Sequence, residues 1–366
     1  MSGGGTVIVG AGIAGLSLGW ELARRGHAPL LVCDQVPGAG GTSAAATGYL
    51  EPRPGQGRMH RVERMALREW PGWIGAVEAA SGRRDWLEQG HQIKVAGAGE
   101  AERLAGRIAK REAEGWRVER LVPDEARAAY PWLSDTVTLV ARFAQFRPFD
   151  PVATCRALAV AIEAKGGTLR SGRVAAIEGR TLRTADGGRI EAERIVLACG
   201  EGIAGIEGVP ADAPGLRTVR GASLAFDTGR DLSGQPMVKH LSGHLCPRGR
   251  HWIAGATFEH DEPSRAVSEA VAATLRDTAA AYLPELAHRP FEARVGWRVH
   301  TIAGGLAARR SGEADHLWYS LGHAGVGFLR APVVARLLAE AIAEDADGDP
   351  IAEADRAGLI VDPLAG

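Results

Sequence analysis

Gly10, Gly12, Gly15 and Asp34 are the residues whose types and spacing first suggest chemistry. The glycines stand in VIVGAGIAG, residues 7–15, between an apolar β-like run and a stretch with helical spacing. Asp34 closes the next apolar run, LLVCD, 19 residues beyond Gly15. In this setting Gly10 permits a tight turn, Gly12 lets the backbone approach a pyrophosphate, and Gly15 lets the helix pack close to a sheet. The phosphates would lie over Ile13 and Ala14 at the helix N-terminus, where free N–H groups and the dipole favour negative charge. Asp34 would accept hydrogen bonds from a ribose. The plainer alternative is a glycine-rich turn without a ligand; the acid at the right distance argues against it.

The bulk numbers narrow the classes. The chain of 366 residues suits two domains or one large composite unit. Its 43 basic and 44 acidic residues nearly cancel, which argues against nucleic-acid or membrane electrostatics as the main driving force. No apolar run approaches the length of a membrane span, roughly 18 residues or more. The first strand starts by residue 6, leaving no room for a signal peptide, so a cytoplasmic location is expected. Cys33, Cys155, Cys199 and Cys246 lie far apart and form no CxxC pair. They read as small core residues in a reducing compartment rather than as metal ligands or disulfides.

The elements that must position the fingerprint follow from periodicity. A β–α–β unit covers Thr6–Val9, a helix from about Ile13 to Arg25, and 29–33, followed by a polar loop from Pro37 to Tyr49. Residues 60–80 read as a helix with Trp70 and Trp73 on one side. Short β-like pieces (HQIKVAG) then alternate with helix (AERLAGRIAKREAEGW), and 121–130 reads as a turn into a short helix. A helix after Asp150 ends on two glycines, a hairpin turns at Asp186-Gly187, and RIVLACG is a buried strand. Residues 216–299 are mostly β-like, with a helix over about 264–282. HLWYSLGHAGVGF leads into a last helix near Leu329, and the residues after Asp345 read as a mobile tail.

The fold expected is therefore α/β: a Rossmann-like FAD-binding domain with an inserted α+β substrate domain built on an antiparallel sheet. The first would comprise residues 1–84, 150–212 and 300–366, the second 85–149 and 213–299. A chain that breaks off after its first β–α–β unit, then supplies a late hairpin and strand, suits FAD held as a buried prosthetic group.

Motifs along nearly the whole chain, from about residue 5 to 343, carry a family likeness. TSAAATGYLEP, PFDPVATCRAL, IVLACG, GATFE, GWRVHT and GHAGVGFLRAP follow VIVGAGIAG in the order seen in the D-amino-acid-oxidase superfamily, and the chain most resembles the glycine oxidases within it. The resemblance implies that Thr42, Ser43, Thr47, Gly48 and Tyr49 lie along the flavin and its phosphates. Val174 would contact the adenine side through its backbone, and Gly200 would allow close approach to the cofactor. His323, Ala324, Gly325, Val326, Gly327, Phe328 and Leu329 would lie against the isoalloxazine ring. The following helix would aim its positive end at the pyrimidine edge. No histidine or cysteine stands where the family forces a covalent link, so the FAD is expected to be non-covalent.

The same resemblance makes Arg298 the clamp for a substrate carboxylate, through two parallel hydrogen bonds. It also places Arg298 close to the cofactor. His244 stands where a substrate-contacting tyrosine is expected, Gly325 replaces an arginine, and TIAGG replaces TPDG. These departures imply a roomier pocket, and a bulkier or N-substituted amino acid rather than glycine. His244 would donate to the carboxylate or tune substrate protonation, or be merely structural. Tyr49, Trp297 and His300 would line the pocket. The other tryptophans (70, 73, 86, 116, 132, 252 and 318) read chiefly as core.

The implied reaction is hydride transfer from a neutral amine's α-carbon to flavin N5, giving an imine that water hydrolyses. Oxygen or a quinone would reoxidise the flavin. Expected partners are a small-molecule amine or amino acid, no nucleic acid, and a second copy of the chain. Alternatives are the flavin domain of an oxidase of a tRNA carboxymethylaminomethyl group, a flavoprotein dehydrogenase subunit passing electrons to a quinone or partner protein, and an inert flavin-binding protein.

Overall fold

The computed structural model describes residues 5–84, 90–260 and 262–364; Trp86 lies outside the described residues. The fingerprint folds as the strand Thr6–Val9, the helix Ile13–Ala23 and the strand Leu30–Cys33. Among the described residues these strands belong to a six-stranded sheet, in the order 168–171, 30–33, 6–9, 194–197, 317–321, 307–310. The first five strands run parallel. The edge strand Ala307–Arg310, which periodicity did not reveal, is antiparallel. The chain starts at the centre, builds outward to one side, then switches to the other. The crevice at such a switch point lies beyond the strand C-termini, where the glycine turn sits.

Small residues let the Ile13–Ala23 helix press onto this sheet. A Cβ at Gly19 would come within 2.9 Å of a Leu31 methyl and 3.2 Å of an Ile162 methyl. The resulting core joins Ile8, Leu16, Trp20, Leu31, Leu158, Ile162, Val196 and Leu338. It is flanked by the helices Arg58–Ser81, Pro151–Ala164 and Gly327–Glu344.

The second large sheet runs in the order 291–301, 216–227, 251–255, 243–248, 237–240, 92–97, 137–143, 119–121, with 259–260 also on the 216–227 strand. It is antiparallel apart from one parallel joint, between 92–97 and 237–240. On one face Leu224, Leu245, Trp252 and Val238 pack with Ala272 and Ala279 of the helix Glu269–Tyr282. The alternate residues therefore face the other way. Ser223, His244, Lys239 and Lys94 stand in register across the strands on this second face. Arg298, opposite Val219, shares it.

Several expectations are corrected. The stretch 37–49 is not all loop, because Gly41–Ala45 forms a short helix. The helix expected from about 264 begins at Glu269, capped by the Ser268 hydroxyl accepting from the Val271 N–H. The residues after Asp345 are not a tail. Asp349 caps the helix Pro350–Arg356, and Ile351, Ala354 and Ile360 are buried against Val62, Val333 and Val334. Arg61 and Arg64 donate to Asp355 and Asp362 at 2.6 and 2.5 Å, fixing this segment to the Arg58–Ser81 helix.

Candidate active site

Three segments converge at the C-terminal ends of the central strands. The first is the glycine turn. A Cβ at Gly10 would lie 2.8 Å from the Ala198 carbonyl oxygen, and one at Gly15 would lie 2.0 Å from the Gly10 carbonyl oxygen. Both positions therefore demand glycine on steric grounds alone. Asp34 is exposed at the end of its strand, and Val174 packs with Val9 and Val32 beneath the strand ends. Gly200, with φ of +58°, turns the chain away after the 194–197 strand.

The second segment is 41–51. The Ile13 N–H donates to Ser43 Oγ at 2.9 Å, so this loop caps the fingerprint helix. The Thr42 hydroxyl donates to the Trp297 carbonyl at 2.6 Å. Arg248 donates to the carbonyls of Ala46 and Thr47 at 2.6 and 3.0 Å. Gly48 needs its φ of +93°, and a Cβ there would strike the Phe149 carbonyl oxygen at 2.2 Å.

The third segment is 323–329. The Ala324 N–H donates to the Val299 carbonyl at 2.9 Å, with Ala324 itself at φ +54°. Gly325 lies against Arg298: a Cβ there would be 3.4 Å from Arg298 Cδ. Val326 is the N-cap residue of the Gly327–Glu344 helix, and the Phe328 carbonyl accepts from the Trp70 indole at 2.9 Å. A Cβ at Gly327 would be 3.3 Å from Ile13 Cγ2, so Gly327 and Leu329 start a helix that abuts the fingerprint. His323 Nε2 lies 3.1 Å from Ser320 Oγ. Its Nδ1 is buried with no partner among the described residues.

Arg298 is thus bracketed, with Trp297 tied to the 41–51 segment and Val299 tied to the 323–329 segment. Arg298 Nη1 donates to the Thr257 carbonyl at 3.1 Å, and the guanidinium lies 4.0 Å from the Phe258 ring centroid. Among the described residues it has no carboxylate partner. Burial lowers its pKa, opposed by the nearby Tyr49.

His244 Nε2 lies 2.9 Å from Thr47 Oγ1, and its ring meets Tyr49 edge-on at 4.9 Å. Burial, reinforced by Lys239, pushes the His244 pKa down to about 3. The imidazole is therefore neutral near pH 7 and occupied by Thr47. This favours holding the loop over tuning substrate protonation by charge. Burial raises the Tyr49 pKa, so its phenol is also neutral. His300 shares the Arg298 face of its strand. Trp297 does not: alternation turns its indole to the opposite face, where the Arg265 guanidinium lies 4.8 Å from it.

The sequence reading missed an ionic cluster beneath Tyr49. The Glu51 carboxylate accepts from Lys94 and Arg111, each at 2.9 Å, from Gln92 at 3.0 Å, and from Lys239. These cations hold its pKa well below the ordinary range against the opposing effect of burial. Lys239 Nζ also lies 5.3 Å from the Tyr49 ring centroid. The available signal was a charged residue inside the apolar strand MVKH. Phe258 was visible in GATFE, but nothing in the sequence places it over Arg298.

The steric cradle at Gly10–Gly15, the capped fingerprint helix and the orphaned His323 nitrogen fit a dinucleotide cofactor. Among the described residues no group of three or more His, Cys, Asp or Glu side chains is placed to hold a metal ion, and no helix is long and apolar enough to cross a membrane.

A family model described as FAD-dependent oxidoreductase (DAO) matches residues 6–341. Among solved structures, glycine oxidase from Bacillus cereus superposes with a TM-score of 0.82 at 20% identity, covering 94% of this chain and 96% of that one. Glycine oxidase from Geobacillus kaustophilus gives 0.82 at 23% identity, covering 94% and 95%. Iminodiacetate oxidase from Chelativorans gives 0.81 at 21% identity, covering 95% and 98%. These likenesses show the fold. No curated protein sequence matches the chain.

Proposed function

Because the chain belongs to the DAO family of FAD-dependent oxidoreductases, we propose that it oxidises the C–N bond of an amino acid or N-substituted amino acid whose carboxylate is held by Arg298. The observation that carries this reading is the bracketed, half-buried guanidinium of Arg298, which has no carboxylate partner among the described residues and lies against Gly325 and Phe258. The names of the solved neighbours, glycine oxidase and iminodiacetate oxidase, denote enzymes of carboxylate-bearing amines and support it.

Gly10–Gly15 would take the pyrophosphate, Asp34 the adenosine ribose and Val174 the adenine side, and Gly200 would allow close approach to the cofactor. Thr42, Ser43, Thr47 and Gly48 would line the cofactor, with 323–329 against the ring system. When bound, FAD supplies the acceptor for the hydride on the substrate α-carbon. Arg298 fixes the carboxylate and hence the aim of that C–H bond, which is catalysis by positioning. The N-terminal end of the Gly327–Glu344 helix places a positive dipole where negative charge develops. His244 holds Thr47, and through it the loop. The positive field of Arg298 and Lys239 disfavours an ammonium in the pocket, so the amine gives its proton to solvent and reacts neutral. The imine product is hydrolysed by water to a carbonyl compound and ammonia or an amine.

The test is anaerobic addition of amino acids and N-alkyl amino acids to the purified holoenzyme. Members of the panel are expected to bleach the flavin absorbance, and oxygen admitted afterwards shows whether peroxide forms. A panel that leaves the flavin oxidised throughout would refute the proposal.

A further inference from the structure

We infer that Phe258 determines the specificity of the pocket, and that the substrate is an amino acid with a branched aliphatic or aromatic side chain that packs on the Phe258 ring. This rests on the reading of Arg298 as the carboxylate clamp and adds the chemistry of the rest of the substrate. Phe258 is 71% exposed, more than any other large hydrophobic side chain among the described residues. A single exposed apolar residue is ordinary and means nothing by itself. Phe258 is set apart by where it stands and by how its backbone is held.

The place is the clamp itself. Val219 pairs with Arg298 on one side and with His260 on the other, so these residues share the pocket face of the sheet. Phe258, two residues before His260, joins them there, with the Arg298 guanidinium 4.0 Å from its ring centroid. An arginine held on an aromatic ring keeps N–H groups for a carboxylate. Among the described residues Arg298 makes its hydrogen bonds through Nη1, to the carbonyls of Thr257 and Arg220, which leaves Nη2 for that purpose.

The backbone on both sides of the ring is anchored. Thr257 accepts from the Ala222 N–H through its hydroxyl at 2.8 Å and donates its own N–H to the Ala222 carbonyl at 3.2 Å. Glu259 is paired with Arg220, which is 3% exposed and also donates to the Ser264 carbonyl at 2.8 Å. The ring is therefore held out by fixed backbone. A carboxylate on Arg298 brings its own α-carbon and side chain beside this ring. An apolar side chain gains by covering it, whereas a polar one gives up water for no partner. Gly325, on the other flank of Arg298, contributes no side chain and leaves room for a bulky group. Tyr49 and His244 are neutral rings, and Lys239 beyond them is committed to Glu51.

The experiment titrates the oxidised holoenzyme with carboxylates that lack an amine, and so cannot be oxidised, and follows the flavin absorbance shift. The probes are 3-phenylpropanoate, 4-methylpentanoate and succinamate, the last a polar isostere of 4-methylpentanoate. Both apolar acids are expected to bind about tenfold or more tighter than succinamate. In Phe258→Ala that advantage is expected to fall by about fivefold or more, and in Phe258→Trp to persist. Equal wild-type affinities for succinamate and 4-methylpentanoate would overturn the inference, as would an undiminished apolar advantage in Phe258→Ala. If Phe258→Ala does not fold or load FAD, the wild-type comparison decides alone. Replacing 3-phenylpropanoate by 3-phenylpropanamide separates the two readings. An amide that binds as tightly as the acid would sink the carboxylate clamp itself, and this inference with it. A preference for the acid without a preference for apolar side chains would sink the role of Phe258 alone.

Discussion

Arg298 is half-buried and Glu63 fully buried, and the contrast in how their charges are met makes a prediction about what each is for. Glu63 accepts from Arg330 at 2.8 Å and from Arg53 at 2.8 Å, so its charge is satisfied within the fold. Arg298 meets backbone carbonyls and an aromatic ring only. Removing one partner of a buried pair costs about 3–5 kcal/mol because the other charge is left uncompensated, whereas Arg298 leaves no charged partner behind. Glu63→Gln is therefore expected to lower the Tm by many degrees, while Arg298→Met keeps or raises it and retains FAD. Thermal unfolding of the two variants checks this, and a large loss of stability in Arg298→Met would mark it as a structural residue. Three histidines, His240 buried and His244 and His323 half-buried, give a pH prediction. Burial depresses His240 to about 4, and His244 and His323 to about 3. Folded, they stay neutral; unfolded, they gain protons below the ordinary value near 6.5. Their contribution is complete above pH 6.5 and is lost as pH falls toward the folded values. Each adds a slope of up to ~1.4 kcal/mol per pH unit. Glu51 and Glu63 lie below the usual carboxylate value of 4.5, so they enter only under more acid conditions. Urea unfolding between pH 6.5 and 5 should weaken with acid in wild type, and less steeply in His240→Gln.

Among the elements, the fingerprint helix shows how local sterics make a ligand site legible. The demand for glycine at 15 comes from the Gly10 carbonyl five residues back, a demand written in the local sequence, whereas that at 10 comes from its φ of +109° and from Ala198 on the neighbouring strand. Gly15→Ala would put a methyl 2.0 Å from the Gly10 carbonyl oxygen and push the helix off its cradle. Purified Gly15→Ala is expected to carry a small fraction of the wild-type flavin-to-protein ratio, and full FAD occupancy would contradict this placement of the pyrophosphate. The C-terminal helix was legible in principle, since Asp349-Pro350 is a cap followed by proline at the first helical position. Its brevity made it read as a tail, because a helix of seven residues is held by packing rather than by its own propensity. Ile351→Ala should accordingly cost about 2–4 kcal/mol in denaturant unfolding. Trp297 was misread for the opposite reason: adjacency in sequence to Arg298 means opposite faces in a strand.

Across the whole molecule, most strand segments could be read from periodicity, the edge strand Ala307–Arg310 excepted, while the order of motifs was legible through the family resemblance. Cross-sheet register was not legible. Lys239 and Arg298 share a face because 216–227, 251–255 and 243–248 come between their strands in the sheet. Glu51, Lys94, Arg111 and Lys239 meet from four distant segments with no spacing to betray them. The proposed substrate end of the site is therefore a property of assembly, drawing Arg298 from the second sheet and Gly325 from a segment fixed to the first. Its central claim is that a carboxylate on Arg298 positions an amine for oxidation. The most direct test is anaerobic stopped-flow reduction of the flavin by an amino acid from the bleaching panel and by its carboxamide, in wild type and in Arg298→Met. The wild-type protein should favour the acid by about a hundredfold or more in apparent affinity, and Arg298→Met should lose most of that preference. Equal reduction of wild-type flavin by acid and carboxamide, or an undiminished preference in the variant, would contradict it.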